Sequence, residues 1–128
     1  MSLEVSNPEL IRQHNFIGGR WCDAADATRF AVLDPADEHQ ITQVPDSSAS
    51  DARAAVDAAS AAFESWRTTP AKQRAQALKR WNALIHAHQE DLGRLISLEQ
   101  GKPLAEGRAE VLYAASYAVR KAAFLHAR

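Results

Sequence analysis

The stretch LEQGKPLAEGRAE, residues 98–110, sets the architecture of this chain. Gly101 is suited to close a helix, because a residue without Cβ reaches φ > 0 at no steric cost. Pro103 is suited to open the next helix, where its missing N–H has no partner to lose. The stretch is therefore a corner between two helices. Most such corners carry no chemistry, and taken alone this one leaves Lys102 open to an active role.

Apolar periodicity runs outward from the corner in both directions. Upstream, Ala75, Leu78, Trp81, Leu84 (or Ile85) and His88 form one face, and Leu92, Leu95, Ile96 and Leu98 carry it on to Gly101. Thr69 and Pro70 suit the N-cap and first helical position, and Gln89-Glu90-Asp91 is the place where this helix is open to interruption. Downstream, a helix from about Pro103 presents Ala105, Leu112, Ala115, Val119 and Ala122 along one side. Further upstream, Ala52, Ala55, Val56, Ala59, Phe63 and Trp66 define another helix. Ser48 or Ser50 can cap it, with Asp51 favourable in its first turn.

The first third of the chain reads differently. Pro8 to Gln13 allows a short helix. Residues 15–23 read as a hairpin turning at Gly18-Gly19. Residues 29–33 and 41–44 read as two strands joined by the turn Asp34-Pro35-Ala36-Asp37 and closed by Pro45. The expected fold class is α+β and mostly helical: a hairpin and a strand pair followed by three long helices. The organisation is a tail (1–14), a β portion (15–45) and a helical segment (46–128).

Composition narrows the function classes. The 128 residues are 46% hydrophobic with a formal net charge of −1. That balance supplies no basic field for nucleic acid. No apolar run is long enough to span a bilayer, and the N-terminus lacks the apolar core of a signal peptide. A single cysteine and no leader point to the cytoplasm. Much of the apolar content is alanine, so the core is expected to be thin and to lean on Trp21, Trp66, Trp81, Phe63 and the leucines. The helices carry more apolar face than three helices cover among themselves. A homo-oligomer through exposed helix faces is the expected partner arrangement.

No active site assembles from the residues alone. Cys22, the only thiol, lies on a hairpin strand beside the anionic Asp23 and reads as a packing residue. His86 and His88 point to different sides of a helix and cannot share a metal, while His86 and Glu90 read as a surface pair. His14, His39 and His126 are isolated. Gly18-Gly19 is flanked by strands and lies in no phosphate-loop motif. Tyr113 and Tyr117 share one helix side, for which packing is the default reading. Arg108, Arg120, Lys121 and Arg128 read as scattered, solvated charges.

The order of segments nevertheless resembles the amino-terminal part of the NAD(P)-dependent aldehyde dehydrogenases. FIGGRW (16–21) resembles the opening hairpin of that family. VLDPADEHQITQVP (32–45) resembles its strand pair, DARAAVDAASAAFESWR (51–67) its first helix, and residues 74–84 its second. LEQGKPLAEGRAEVLYAASY (98–117) is nearest the succinate-semialdehyde dehydrogenase branch. After Tyr117 the chain departs from that branch: AVRKAAFLHAR puts Arg120 and Lys121 where aromatics are usual. Ordinary divergence and a shifted reading frame both account for this.

The resemblance implies an enzyme that oxidises aldehydes through a cysteine thiolate with hydride transfer to NAD or NADP. Its nucleophile, base and nucleotide loop come later in sequence, and Cys22 does not match the nucleophile. The chain is thus expected to be an inactive fragment that binds no cofactor alone. The alternative is a self-associating or interaction module. The resemblance also offers Val32, Leu33 and Glu99 to a monovalent cation, and puts Tyr113 and Tyr117 near the aldehyde tunnel.

Overall fold

Two consecutive glycines build the first strand pair. Gly18 (φ 58°) and Gly19 (φ 77°) both occupy the left-handed region that a two-residue hairpin turn requires. They join β1 (Asn15–Ile17) to β2 (Arg20–Cys22), with Phe16 opposite Trp21. The second pair, β3 (Arg29–Leu33) and β4 (Gln40–Pro45), is also antiparallel. Its register slips between Val32, opposite Thr42, and Leu33, opposite Gln40. Ile41 is therefore a bulge residue. The computed structural model describes residues 4–126, and both strand pairs match the sequence expectation.

Four helices follow: α1 (Ala49–Thr68), α2 (Ala71–Ala87), α3 (Gln89–Gln100) and α4 (Leu104–His126). The expectation of three long helices is corrected here. The helix anticipated upstream of Gly101 is two, divided at His88, whose backbone (φ −107°, ψ 16°) leaves the helical region. Glu90 and Asp91 then fall in the first turn of α3, where acidic side chains suit the helix dipole. Gly101 ends α3 in the left-handed conformation (φ 68°), as expected, and its N–H donates to the Ser97 carbonyl at 2.9 Å. Pro70 is the N-cap of α2, one residue earlier in role than expected. At the amino-terminal end, Pro8–Leu10 forms a 3-10 turn, shorter than the helix anticipated there.

Contacts divide the chain into two units. One, the helical unit, comprises residues 1–10 together with 69–128; the other, the inserted unit, runs from Ile11 to Thr68. The division follows contact, not secondary structure. The sequence reading separates tail, strands and helices, whereas α1 clusters with the strands and the amino-terminal residues cluster with α2–α4.

In the helical unit, α2 and α3 both pack on α4. Among the described positions of α4, Gly107, Val111, Ala115 and Ala118 are buried. The expected face shared only Ala115 with this set. Ala105 is exposed, as are Leu112 (42%) and Val119 (47%), and the side chain of Ala122 lies outside the described residues, as do that of His126 and all of Arg128. The packed stripe instead begins at Gly107 because α3 and α4 cross there almost backbone to backbone. A Cβ on Gly107 would lie 2.4 Å from the Gly93 carbonyl oxygen, and a Cβ on Gly93 would meet the Arg108 backbone nitrogen at 3.1 Å. Asn82 of α2 anchors the other side, donating to the Ala115 carbonyl at 2.8 Å.

In the inserted unit, α1 starts with a reciprocal cap. The Ser48 N–H donates to the Asp51 carboxylate at 2.8 Å, and the Ser50 N–H reaches the Ser48 hydroxyl at 3.3 Å. This is the capping-box arrangement with Asp in place of Glu. The other Asp51 oxygen accepts the Ala25 N–H at 2.9 Å, tying the helix start to the loop before β3. These bonds, first the Ser48 N–H, hold the Asp51 carboxyl below its ordinary value.

The core is thin, as the alanine content implies, but the aromatics are not in it. Trp81 and Phe63 are more than half exposed, and Trp21 and Trp66 nearly so. Among the described residues, the buried apolar ones are Ala24, Ala75, Val111, Ala115 and Ala118. Among the described residues no helix is long and apolar enough to cross a membrane.

Candidate functional site

The helix corner of residues 98–110 lies in the helical unit beside an open apolar cleft of about 380 Å³. Ile85 of α2, Leu92, Leu95, Ile96 and Glu99 of α3, and Glu110, Val111 and Ala114 of α4 line it. Lys102 does not reach outward as a free amine. Its Nζ is ion-paired with Glu110 across the corner, consistent with a structural role.

The next cluster was not anticipated from sequence. Arg108 grips Glu90 with two hydrogen bonds of 2.7 Å, and Arg94 adds a third at 3.2 Å. The Arg108 bonds dominate in holding the Glu90 carboxyl below its ordinary value, and they raise the guanidinium in return. Two expectations are corrected by this network. Arg108 is not a scattered solvated charge, and Glu90 pairs with arginines instead of His86, because the helix breaks at His88 between them. Asp91 next door is buried and accepts the Ser6 and Asn7 N–H groups at 2.8 and 2.9 Å. The Ser6 bond is the main reason its carboxyl also lies low.

Tyr113 and Tyr117 come together. Their hydroxyls are 2.6 Å apart and their rings meet edge to face with centroids 5.1 Å apart. Packing is not what occupies them, since they are 65% and 46% exposed. The bond to Tyr117 raises the Tyr113 phenol above its ordinary value. Arg120 stands 6.0 Å from the Tyr117 ring centroid, so this arginine also has an aromatic neighbour.

The monovalent-cation trio is divided between the units. Val32 and Leu33 flank the register slip of β3 in the inserted unit, and Glu99 is exposed near the end of α3 in the helical unit. Cys22 is a half-buried residue of β2. His39 is not isolated, as the sequence reading had it. Its ring nitrogen lies 2.5 Å from Asp37, and Asp34, Asp37 and His39 gather in the β3–β4 turn. Asp37 raises the His39 imidazole and is itself lowered by that bond. The turn uses these groups internally: the Asp34 carboxylate accepts the Ala36 N–H and the Asp37 carboxylate the His39 N–H. Asx turns of this kind were the available sequence signal.

The comparison with known proteins is decided by the span of the match. The model of the "Aldehyde dehydrogenase family" matches residues 21–127. This chain belongs to the aldehyde dehydrogenase family. The match runs past Tyr117, as far as residue 127. Succinate-semialdehyde dehydrogenase (NADP+) of Escherichia coli is 44% identical over 115 residues, which are 90% of this chain and 24% of that protein. A 3-sulfolactaldehyde dehydrogenase of Pseudomonas putida is 45% identical over 109 residues, 85% of this chain and 22% of its own length. The crystal structure of an NADP-dependent enzyme from E. coli superposes with a TM-score of 0.88 at 43% identity, covering 91% of this chain and 24% of that one. The aldehyde dehydrogenase chain described here thus spans about a quarter of the length of the relatives it matches.

Proposed function

We propose that these residues serve as the amino-terminal portion of a cytoplasmic NAD(P)-dependent aldehyde dehydrogenase that oxidises a short aldehyde with an anionic tail, succinate semialdehyde first among them, and that they do not turn over aldehyde alone. The observation that carries this is the combination of 44% identity to a succinate-semialdehyde dehydrogenase with coverage of only 24% of its length. The 3-sulfolactaldehyde enzyme supports the anionic tail, because its substrate also carries an acidic group beyond the aldehyde.

The chemistry of the residues agrees with incompetence of the isolated chain. Aldehyde oxidation of this type needs a thiolate nucleophile within reach of a base. The sole thiol, Cys22, stands on a hairpin strand. The cofactor, when bound, supplies the hydride acceptor, but the Gly18-Gly19 turn is spent on a strand reversal and does not cradle phosphate. NAD or NADP therefore belongs to the remainder of the parent enzyme. We further propose that the exposed Tyr113–Tyr117 pair borders the parent's aldehyde tunnel. Tyr113→Phe in the parent enzyme is then expected to change KM for the aldehyde more than kcat.

The direct test is reduction of NAD+ and NADP+ by this chain with succinate semialdehyde. No turnover is expected, and measurable turnover overturns the claim of incompetence. In the complete enzyme, succinate semialdehyde should exceed an uncharged aldehyde of equal length in kcat/KM; the reverse order overturns the substrate class.

A second reading rests on a separate observation. Val56 (63%), Phe63 (56%) and Trp66 on α1, and Trp81 and Leu84 on α2, are exposed. Such faces favour self-association or cover by other chain. Light scattering checks this: an oligomer supports it, and a monomer that binds no hydrophobic dye counts against it.

A further inference from the structure

The helical unit carries a hole and a knob that share helix α2. The hole is the open cleft of about 380 Å³ formed by α2, α3 and α4, whose lining is apolar except for Glu99 and Glu110. Lys102 pairs with Glu110, whereas Glu99 is exposed and has no ion-pair partner among the described residues. The knob is Trp81, which is 58% exposed, as is Leu84 one turn on. Trp81 precedes Ile85 by four positions, so the indole and a residue of the cleft lie on one face of α2. Trp81 itself is not among the residues that line the cleft. Arg80 beside it is exposed and, like Glu99, has no ion-pair partner among the described residues.

Hole and knob complement one another in shape and in charge. Tryptophan is a large apolar side chain that covers about 150–250 Å² when buried, and the cleft offers it apolar walls. A free guanidinium stands next to the knob and a free carboxylate lines the hole, and opposite charges of this kind fix the orientation in which two surfaces meet. A foreign partner would satisfy either the hole or the knob. A second copy of this chain satisfies both, because a two-fold axis beside α2 makes the same contact twice. Resting on the self-association read above, we propose that two copies pair about such an axis, each seating Trp81 in the cleft of the other with Arg80 facing Glu99. Two indoles and two clefts belong at the lower end of interface sizes, near about 1,200 Å² in total, so the dimer is reversible and micromolar.

The test is sedimentation equilibrium on the full 128-residue chain, across the roughly micromolar to submillimolar range. Trp81→Ala removes the knob, and Ala114→Arg fills the hole from an exposed position of α4. Each is expected to raise the dimer dissociation constant about tenfold or more. Mixed in equal amounts, the two variants should pair with one another more tightly than either pairs with itself, because one intact knob then meets one intact hole. Arg80→Glu should weaken the dimer about fivefold, and Arg80→Glu combined with Glu99→Arg should restore it. The charge swap changes exposed residues alone, so it reports even if a cleft variant folds poorly; far-ultraviolet circular dichroism checks the helices of each. A dimer that none of these changes weakens overturns the contact and leaves self-association through another face standing. A chain that stays monomeric throughout overturns both. Weakening by the single variants with no recovery in the mixture or in the charge swap overturns the two-fold arrangement.

Discussion

The helical unit and the inserted unit are held together by different means. The helical unit depends on partners far apart in sequence: Gly93 against Gly107, Arg108 on Glu90, Asn82 on the Ala115 carbonyl, Asp91 on residues 6 and 7. The inserted unit depends mostly on short-range devices: the Gly18-Gly19 turn, the Asx turns at Asp26 and Asp34, and the Ser48–Asp51 cap. The difference teaches where each unit is vulnerable. One fails when a close approach is spoiled, the other when a turn or cap loses its residue.

Spoiling the close approach should give the largest effect. Gly107→Ala puts a methyl 2.4 Å from a backbone oxygen, a group that cannot swing aside. Helix α4 must move off α3, and we expect a loss of about 3 kcal/mol, the upper end of the range for overpacking. Urea unfolding gives the magnitude. Amide exchange locates it, because the loss should appear in α3 and α4 and spare β3 and β4. Equal loss in the strands would erase the distinction between the units. Val111→Ala sharpens the same point from the opposite direction. Val111 is 4% exposed, so removing two methyl-sized groups should cost about 2 kcal/mol and again act within the helical unit.

The same division decides what could be read in the sequence. Both strand pairs, the Ser48 cap and the Gly101 stop were legible because the residues that make them lie within a few positions of one another. The packed face of α4 was not. Periodicity alone offered Leu112 and Val119, the large apolar residues, but the stripe that is buried starts at Gly107. Only the partner backbone at Gly93 reveals why a glycine leads it. The break at His88 was signalled weakly, by the polar run Gln89-Glu90-Asp91, because α2 and α3 continue nearly the same hydrogen-bond ladder: Leu92 N–H donates to the His88 carbonyl at 3.0 Å. The aromatics misled for a physical reason. Phe63, Trp66 and Trp81 carry the pattern of a core face, and the described chain does not cover that face. The family resemblance was legible because it rests on order and spacing, which survive without any knowledge of packing. The candidate site was only partly so. The tyrosine pair follows from an i, i+4 spacing, whereas the Glu90–Arg108 grip joins helices 18 residues apart in sequence.

In the inserted unit the informative change is at a cap. Ser48→Ala deletes the hydroxyl that the Ser50 N–H reaches and that itself donates to Asp51. A loss of about 1 kcal/mol is expected, the ordinary worth of an N-cap. Exchange should speed up at the start of α1 and leave α4 unchanged. An effect on α4 of equal size would mean the two units unfold as one.

Ser97→Ala should act in the opposite direction. Its hydroxyl is buried at the α3–α4 crossing and has no hydrogen-bond partner. Replacing it with a methyl group removes an unsatisfied polar atom and favours the helix. A gain of up to about 1 kcal/mol is expected in the urea midpoint. A loss would mean the hydroxyl serves the crossing in a way its geometry does not indicate.

Acid should blur the comparison, because each unit carries a carboxylate that its hydrogen bonds hold low. Asp91 is lowered by the Ser6 and Asn7 N–H groups, Glu90 by Arg108, and Asp51 by the Ser48 and Ala25 N–H groups. A carboxylate whose native pKa lies below its unfolded value binds fewer protons folded than unfolded, so stability rises with pH across that interval. The contribution is complete above the unfolded values near 4 and is lost as pH falls through the lower native ones. Between pH 6 and 8 these three groups should leave stability flat. Below about pH 4 both units should weaken, and Asp91→Asn should remove part of the slope from the helical unit while that of the inserted unit persists. If the slope of the inserted unit falls with it, the carboxylates act on a single cooperative structure and the two units are one in solution.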